Sequence, residues 1–148
     1  MGPRSAGARP GPVCYCRAGG LLAITDANVV CGRVSHAHFP AIFGEHENEP
    51  LKAAASIRAM EALRLSHKEG LGPEVDEAAA LAYGFLRVAN EAVCRPIRTL
   101  TRHRSHEPLA HVLAYLGGAR PQHACAVART LGMRTMFVHR HGGVLSAY

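Results

Sequence analysis

Tryptophan is absent from this 148-residue sequence, and aromatic residues make up only 5% of it. A core must therefore be assembled mainly from Ala, Val, Leu and Ile. Lysine is nearly absent, with Lys52 and Lys68 against fifteen Arg, and aspartate occurs only at Asp26 and Asp76. No run approaches the roughly 18 consecutive apolar residues of a membrane-crossing helix. The P-loop pattern Gly-x-x-x-x-Gly-Lys, the dinucleotide pattern Gly-x-Gly-x-x-Gly and the zinc-protease pattern His-Glu-x-x-His are all missing. Cys14 and Cys16 have one residue between them, not the two to four usual in zinc sites. No metal ligand set is expected. The five Cys follow no secretory leader and read as reduced thiols of a cytosolic protein.

What is present is ordinary globular material: 48% hydrophobic residues, 19% charged residues and a formal net charge of +6. One domain and one core fit this length. A basic surface can attract nucleic acid or another polyanion. The abundance of Arg, Ala, Gly and Pro equally fits simple compositional bias. No dense basic run interleaved with aromatics appears, so no nucleic-acid partner is expected. Arg95, Arg98, Arg102 and Arg104, with His103 and His106, form a basic cluster that suits either a phosphate or a solvated surface.

Along the chain, residues 1–12 are too rich in Pro and Gly for regular structure and are expected to form a disordered tail. Leu21–Thr25 reads as a strand, followed by a short helix over 27–31 with Asp26 as its N-cap. Residues 34–50 read as loop. Residues 51–69 predict a helix burying Leu51, Ala54, Ile57, Met60 and Leu63. Residues 73–97 predict a second, burying Leu81, Phe85, Val88 and Ala92 and bent or ended near Cys94 by Pro96. Residues 98–108 read as loop. A strand over 111–116, a helix from Pro121 to Leu131 and a strand over Thr135–His139 make a βαβ unit with parallel strands. Val144–Tyr148 reads as the start of a further helix. The fold class is α/β.

Gly117 and Gly118 separate the first strand of that unit from its helix. Glycines there bring backbone close to a ligand, and the following helix offers free N–H groups to an anion. Connection geometry alone would also explain them. Asp26 could orient water or hold a metal, or simply cap a helix.

Several segments together resemble the hydantoinase A/oxoprolinase family. They are Gly11–Tyr15, Ile24–Arg33, Phe39–Gly44, Gly84–Arg98, His111–Ala128 and His139–Tyr148, in the family's order and covering nearly all of 11–148. The resemblance implies that 13–148 is part of such a domain, a portion of an actin-like ATPase fold of the sugar kinase and Hsp70 type. It implies 5-oxoprolinase activity: ATP hydrolysis, with Mg²⁺, coupled to opening 5-oxo-L-proline to L-glutamate in cytosolic glutathione turnover. A homodimer is implied for full-length members. An ATP-dependent hydantoinase and a non-catalytic interaction module are the alternatives.

Gly117, Gly118, Ala119, Gln122 and His123 resemble the family's Gly-Gly-Ala-Gly-Pro-x-His-Ala stretch, expected beside the adenosine of the nucleotide. Asp26 and Asn28 resemble its Thr-Asp-Ala-Asn segment and are candidates near the active centre. Catalytic residues are not assigned. Two departures stand out. Arg120 replaces a family glycine, putting a Cβ and a guanidinium where backbone should meet ligand. The family's Gly-Gly-Thr and Asp-Val-Gly-Gly phosphate segments and its second half do not occur in these residues, so this chain alone is expected to be inactive.

Overall fold

The computed structural model describes residues 5–118 and 121–144. They divide into two compact units, residues 1–87 and 88–148.

In the first unit, residues 7–10 form turns and Pro12 pairs with Leu21 in an isolated bridge. Helix α1 spans Ile24–Val30 and α2 spans Ala53–Ser66. The expected strand at Leu21–Thr25 does not form, because α1 begins inside it. Asp26 is the third residue of α1 and not its cap. Its Oδ2 reaches back to accept from the Ala23 N–H at 2.9 Å, which satisfies a donor that a helix start leaves open. The loop over 34–50 contains a 3₁₀ turn at His36–His38. Arg17 holds that loop, donating to the carbonyls of Ile42 and Gly44 at 3.2 Å each.

Three consecutive alanines, Ala53–Ala55, start α2 with the best helix former. Only Ser56 and Met60 of this helix are buried, and Ile57 is 48% exposed. The anticipated face, read in steps of three, was too broad. Each such step falls about 60° short of a full turn, so five residues sweep most of the way round the helix. A step of four, as from Ser56 to Met60, stays on one side.

Helix α3 spans Ala78–His103. In the first unit it buries Ala82 and Leu86, which pack with Ala27 and Met60. The buried stripe lies one residue later than anticipated, and small Ala82 takes the place of Leu81 on the contact face. Cys14, Val29, Val34, Phe43 and Leu51 form a second cluster in this unit, with the rings of Tyr15 and Phe43 stacked at 4.4 Å.

In the second unit α3 continues through Pro96 to His103, over residues that read as loop. A proline there forfeits one main-chain hydrogen bond. Packing of Cys94 and Ile97 on the core of this unit offsets that loss. Val88, anticipated as buried, is 69% exposed, while Asn90 and Cys94 are buried.

Strand β1 (Val112–Tyr115), helix α4 (Pro121–Leu131) and strand β2 (Thr135–Val138) follow. The strands are parallel, with Val112 opposite Thr135 and Tyr115 opposite Val138. The βαβ reading and the α/β class therefore hold. Leu113 and Tyr115 alternate inward along β1 and pack with Ala124, Val127 and Leu131 of α4. Full burial of Val127 contributes about 1.5–3 kcal/mol. All four residues of β2 are exposed, including Phe137 at 51%. Residues 145–148, anticipated as helix, lie outside the described residues.

Candidate functional site

The glycine turn after β1 lies in the second unit. Gly117 has a φ of 97°, in the left-handed region, where a side chain would be strained. Its N–H donates to the carbonyl of Gly142 at 2.7 Å, and Gly142 in turn donates to the carbonyl of His139 at 2.8 Å. A Cβ on Gly142 would stand 3.0 Å from the His139 oxygen, so a side chain would crowd the second turn. The turn after β1 and the turn after β2 are thus pinned together at the carboxyl ends of two parallel strands. That end is where open α/β sheets tend to bind ligands.

Among the described residues, a Cβ on Gly118 would meet no atom within 4 Å. Ala119 and Arg120 lie outside the described residues. Helix α4 then begins at Pro121 with no acidic residue in its first turn, so that turn supplies no carboxylate against its positive end. Gln122 and His123 occupy that turn and are half-buried. His123 Nδ1 is 2.7 Å from Oδ1 of the buried Asn90 on α3. His123 also borders a depression of about 600 Å³ lined by Pro96, Ile97, Leu113 and Tyr115. Burial, followed by the nearby Cys94 and Cys125 thiols, raises the Tyr115 phenol above its ordinary value, so it stays neutral.

The second candidate segment, Thr25–Asn28, lies in the first unit. Asp26 is fully buried, and its two oxygens take four donors. Oδ1 accepts from the Cys14 N–H at 2.9 Å and the Ser56 hydroxyl at 2.6 Å. Oδ2 accepts from the N–H groups of Val13 at 3.2 Å and Ala23 at 2.9 Å. Burial and then the negative charge of Asp26 push the Cys14 thiol up to about 12. Asn28 is buried and its Nδ2 donates to the Ile24 carbonyl at 3.2 Å. Thr25, with Tyr15, Leu22 and Ala23, borders a depression of about 610 Å³.

Asn90, Ser56 and Cys14 escaped the sequence reading as site components. Asn90 had a usable signal, since it lies four residues from both Leu86 and Cys94 on the buried stripe of α3. Ser56 had none, because a serine among alanines in a helix looks like surface. Among the described residues no group of three or more His, Cys, Asp or Glu is arranged to hold a metal ion. His36 and His38 are exposed, as are His103 and His106. Within the basic cluster, Arg98 pairs with Glu91 and donates to the Thr130 carbonyl.

The sequence model of the hydantoinase/oxoprolinase family matches residues 1–148. Over 153 aligned positions the chain is 51% identical to 5-oxoprolinase 1 of Arabidopsis thaliana and 46% identical to 5-oxoprolinase of Dictyostelium discoideum. Each alignment takes in 100% of this chain and 12% of the relative. The crystal structure of the ATP-dependent caprolactamase from Pseudomonas jessenii superposes with a TM-score of 0.77 at 30% identity, covering 99% of this chain and 20% of that one. The chain therefore spans about 12% of the length of the curated relatives it matches.

Proposed function

This chain belongs to the hydantoinase/oxoprolinase family, and we propose that it is part of an ATP-dependent 5-oxoprolinase, with the Gly117–His123 turn contributing to the nucleotide site. The observation that carries this reading is the glycine turn after β1, pinned by Gly117 to Gly142, with Gln122 and His123 at the head of α4. The residues fit a nucleotide. No described atom lies where a Cβ on Gly118 would stand, and the head of α4 has no carboxylate of its own. They do not fit Mg²⁺ by themselves, since the described residues hold no ligand set. Any such ion in the longer enzyme would be held through other segments.

The wider reading follows the resemblance: a portion of an actin-like ATPase fold in a cytosolic, homodimeric enzyme of glutathione turnover. Bound ATP would supply a phosphoryl group to the lactam oxygen and so make the ring carbon electrophilic enough for water to add; the ring C–N bond would then break, with nitrogen leaving as the amine of L-glutamate and the phosphate released by hydrolysis. The contribution of this chain is positioning and polarity. Gln122 and His123 present polar groups at the turn. Asp26 ties the Thr25–Asn28 segment in place, and we assign that segment, with Asn28, to the neighbourhood of the active centre. Ala119 belongs to the same proposed nucleotide wall.

Identities of 46–51% to proteins named 5-oxoprolinase, against 30% to a caprolactamase, favour oxoproline over another cyclic amide. Thermal unfolding with and without millimolar ATP tests the site. A nucleotide-dependent rise in midpoint is expected, reduced in His123→Ala, and no shift at all would sink an autonomous site. No 5-oxoproline-dependent ATPase is expected from these 148 residues, and turnover above background would refute that.

A further inference from the structure

The net charge of this chain is confined to its second unit. Residues 1–87 carry nine Lys and Arg against nine Asp and Glu, whereas residues 88–148 carry eight Arg against Glu91 and Glu107 alone. A general excess of arginine does not produce this division, because carboxylates are what the second unit lacks.

Part of that charge gathers at the amino ends of the strands. Helix α3 closes with the Ser105 N–H donating to the Arg102 carbonyl at 3.1 Å and the His106 N–H to the Thr101 carbonyl at 2.9 Å, and Ser105 takes a left-handed φ of 54°. This pair of bonds stops a helix in a fixed turn. It places Arg102 and Arg104 ahead of β1. Val112 pairs with Thr135, so Arg134 stands at the same end of the sheet. Arg102, Arg104 and Arg134 are exposed, and among the described residues none of them forms an ion pair. The helix dipole favours a cation in the last turn, which accounts for Arg102 but not for Arg134, which precedes a strand. Aliphatic side chains are exposed at this end too: Leu100 one turn before Arg104, Val112 at the start of β1, and Leu109, whose Cδ2 would stand 3.4 Å from a Cβ on Gly132.

We propose that this end of the second unit is a docking surface for an acidic protein segment that also carries apolar residues. Guanidinium groups match carboxylates with paired hydrogen bonds. Leu100, Leu109 and Val112 give the apolar side of such a segment something to bury. A nucleic-acid backbone offers those three side chains nothing. The surface also has no Phe, Tyr or Trp on which bases would stack or which would seat it in a membrane interface. The glycine turn after β1 lies at the opposite end of the strand, so a segment docked here does not compete with it, whatever that turn binds.

The test is fluorescence anisotropy of a labelled synthetic peptide, with glutamates and leucines on opposite faces of a helix, titrated with the 148-residue chain. Saturable binding is expected, and it should weaken in about 0.5 M salt, where screening is short-ranged. Arg102→Glu combined with Arg104→Glu should weaken it about tenfold. Arg58→Glu combined with Arg87→Glu makes the same change of net charge on exposed residues of the first unit and should leave binding unchanged. Leu100→Ser, and separately a peptide with serine in place of leucine, should each weaken binding about threefold.

No saturable binding, equal loss in the two double variants, or full affinity of the serine peptide would overturn the proposal. Tighter binding of duplex DNA or of phosphatidylserine vesicles through the same arginines would overturn it as well, by assigning the surface to a different polyanion. If the Arg102 and Arg104 double variant does not fold, a photo-crosslinking form of the peptide on the parent chain decides. Adducts within residues 100–112 and 134–135 are expected, and adducts confined to other residues would overturn the assignment.

Discussion

The Ser56 hydroxyl donates to Oδ1 of Asp26 at 2.6 Å, and both side chains are fully buried. This one contact joins α2 to the start of α1. The same carboxylate also collects the N–H groups of Val13, Cys14 and Ala23. Three stretches of chain thus meet on a single acidic group that is shielded from bulk solvent.

Removing that group should be severe. Asp26→Ala leaves four donors without an acceptor, two of them fully buried, and is expected to cost about 1–3 kcal/mol for each buried one. Asp26→Asn should also destabilise, because its amide nitrogen cannot accept. Ser56→Ala removes one donor and should cost less, about 1–3 kcal/mol. Urea titrations followed by circular dichroism check the order. Equal loss in the two alanine variants would mean that the hydroxyl, and not the carboxylate, is the organising group.

The thiols should differ in reactivity. Cys125 is exposed, whereas Cys14 is buried with its pKa raised from 9.0 to about 12. The thiolate is the nucleophile, so brief alkylation of the folded chain near pH 8 should label Cys125 and spare Cys14. The same shift sets a direction for stability. Below about pH 9 both folded and unfolded forms keep the Cys14 proton. Between 9 and about 12 only the folded form keeps it, so its contribution to stability falls as pH rises through that window.

Pro96 interrupts the hydrogen bonding of α3 without ending it. Pro96→Ala restores a donor for the Ala92 carbonyl and removes the ring's clash with the preceding turn. Stability should rise by on the order of 2 kcal/mol, read as a higher thermal midpoint. A lower midpoint would show that the ring's packing beside Ile97 and Leu113 outweighs the backbone gain.

Strand β2 exposes Phe137 and Val138 along the sheet, and exposed apolar strands promote association. Phe137→Lys is expected to reduce concentration-dependent light scattering while changing stability by no more than about 0.5 kcal/mol. Scattering unchanged by the substitution would place any self-association elsewhere.

The βαβ unit was legible because its signals are local. Pro121 opens α4, Gly132 follows its end, and the apolar runs on either side have strand length. The stripe of α3 was misread by one residue at Ala82 and Leu86 and by two at Asn90 and Cys94, because its contacts depend on Ala82, Asn90 and Cys94, which carry little hydrophobic weight in a pattern. The strand expected at Leu21–Thr25 failed for a different reason. Asp26 looked like a cap on the residues after it, but its carboxylate folds back to Ala23 and draws Ile24 and Thr25 into the helix. The meeting of Asp26 with Ser56, and of Asn90 with His123, could not be read from spacing at all, since each pair is joined only by the packing of separate elements.

The pairing of Val112 with Thr135 has a kinetic consequence. The two strands are separated by one helix and two short turns, so the chain closes a small loop to form its sheet. Loop closure of that size is entropically cheap, and pairings of low sequence separation form early. The second unit should therefore assemble its sheet as soon as α4 has formed. The Asp26–Ser56 contact of the first unit closes a stretch of similar length, 30 residues, so loop entropy alone sets no order between the two units.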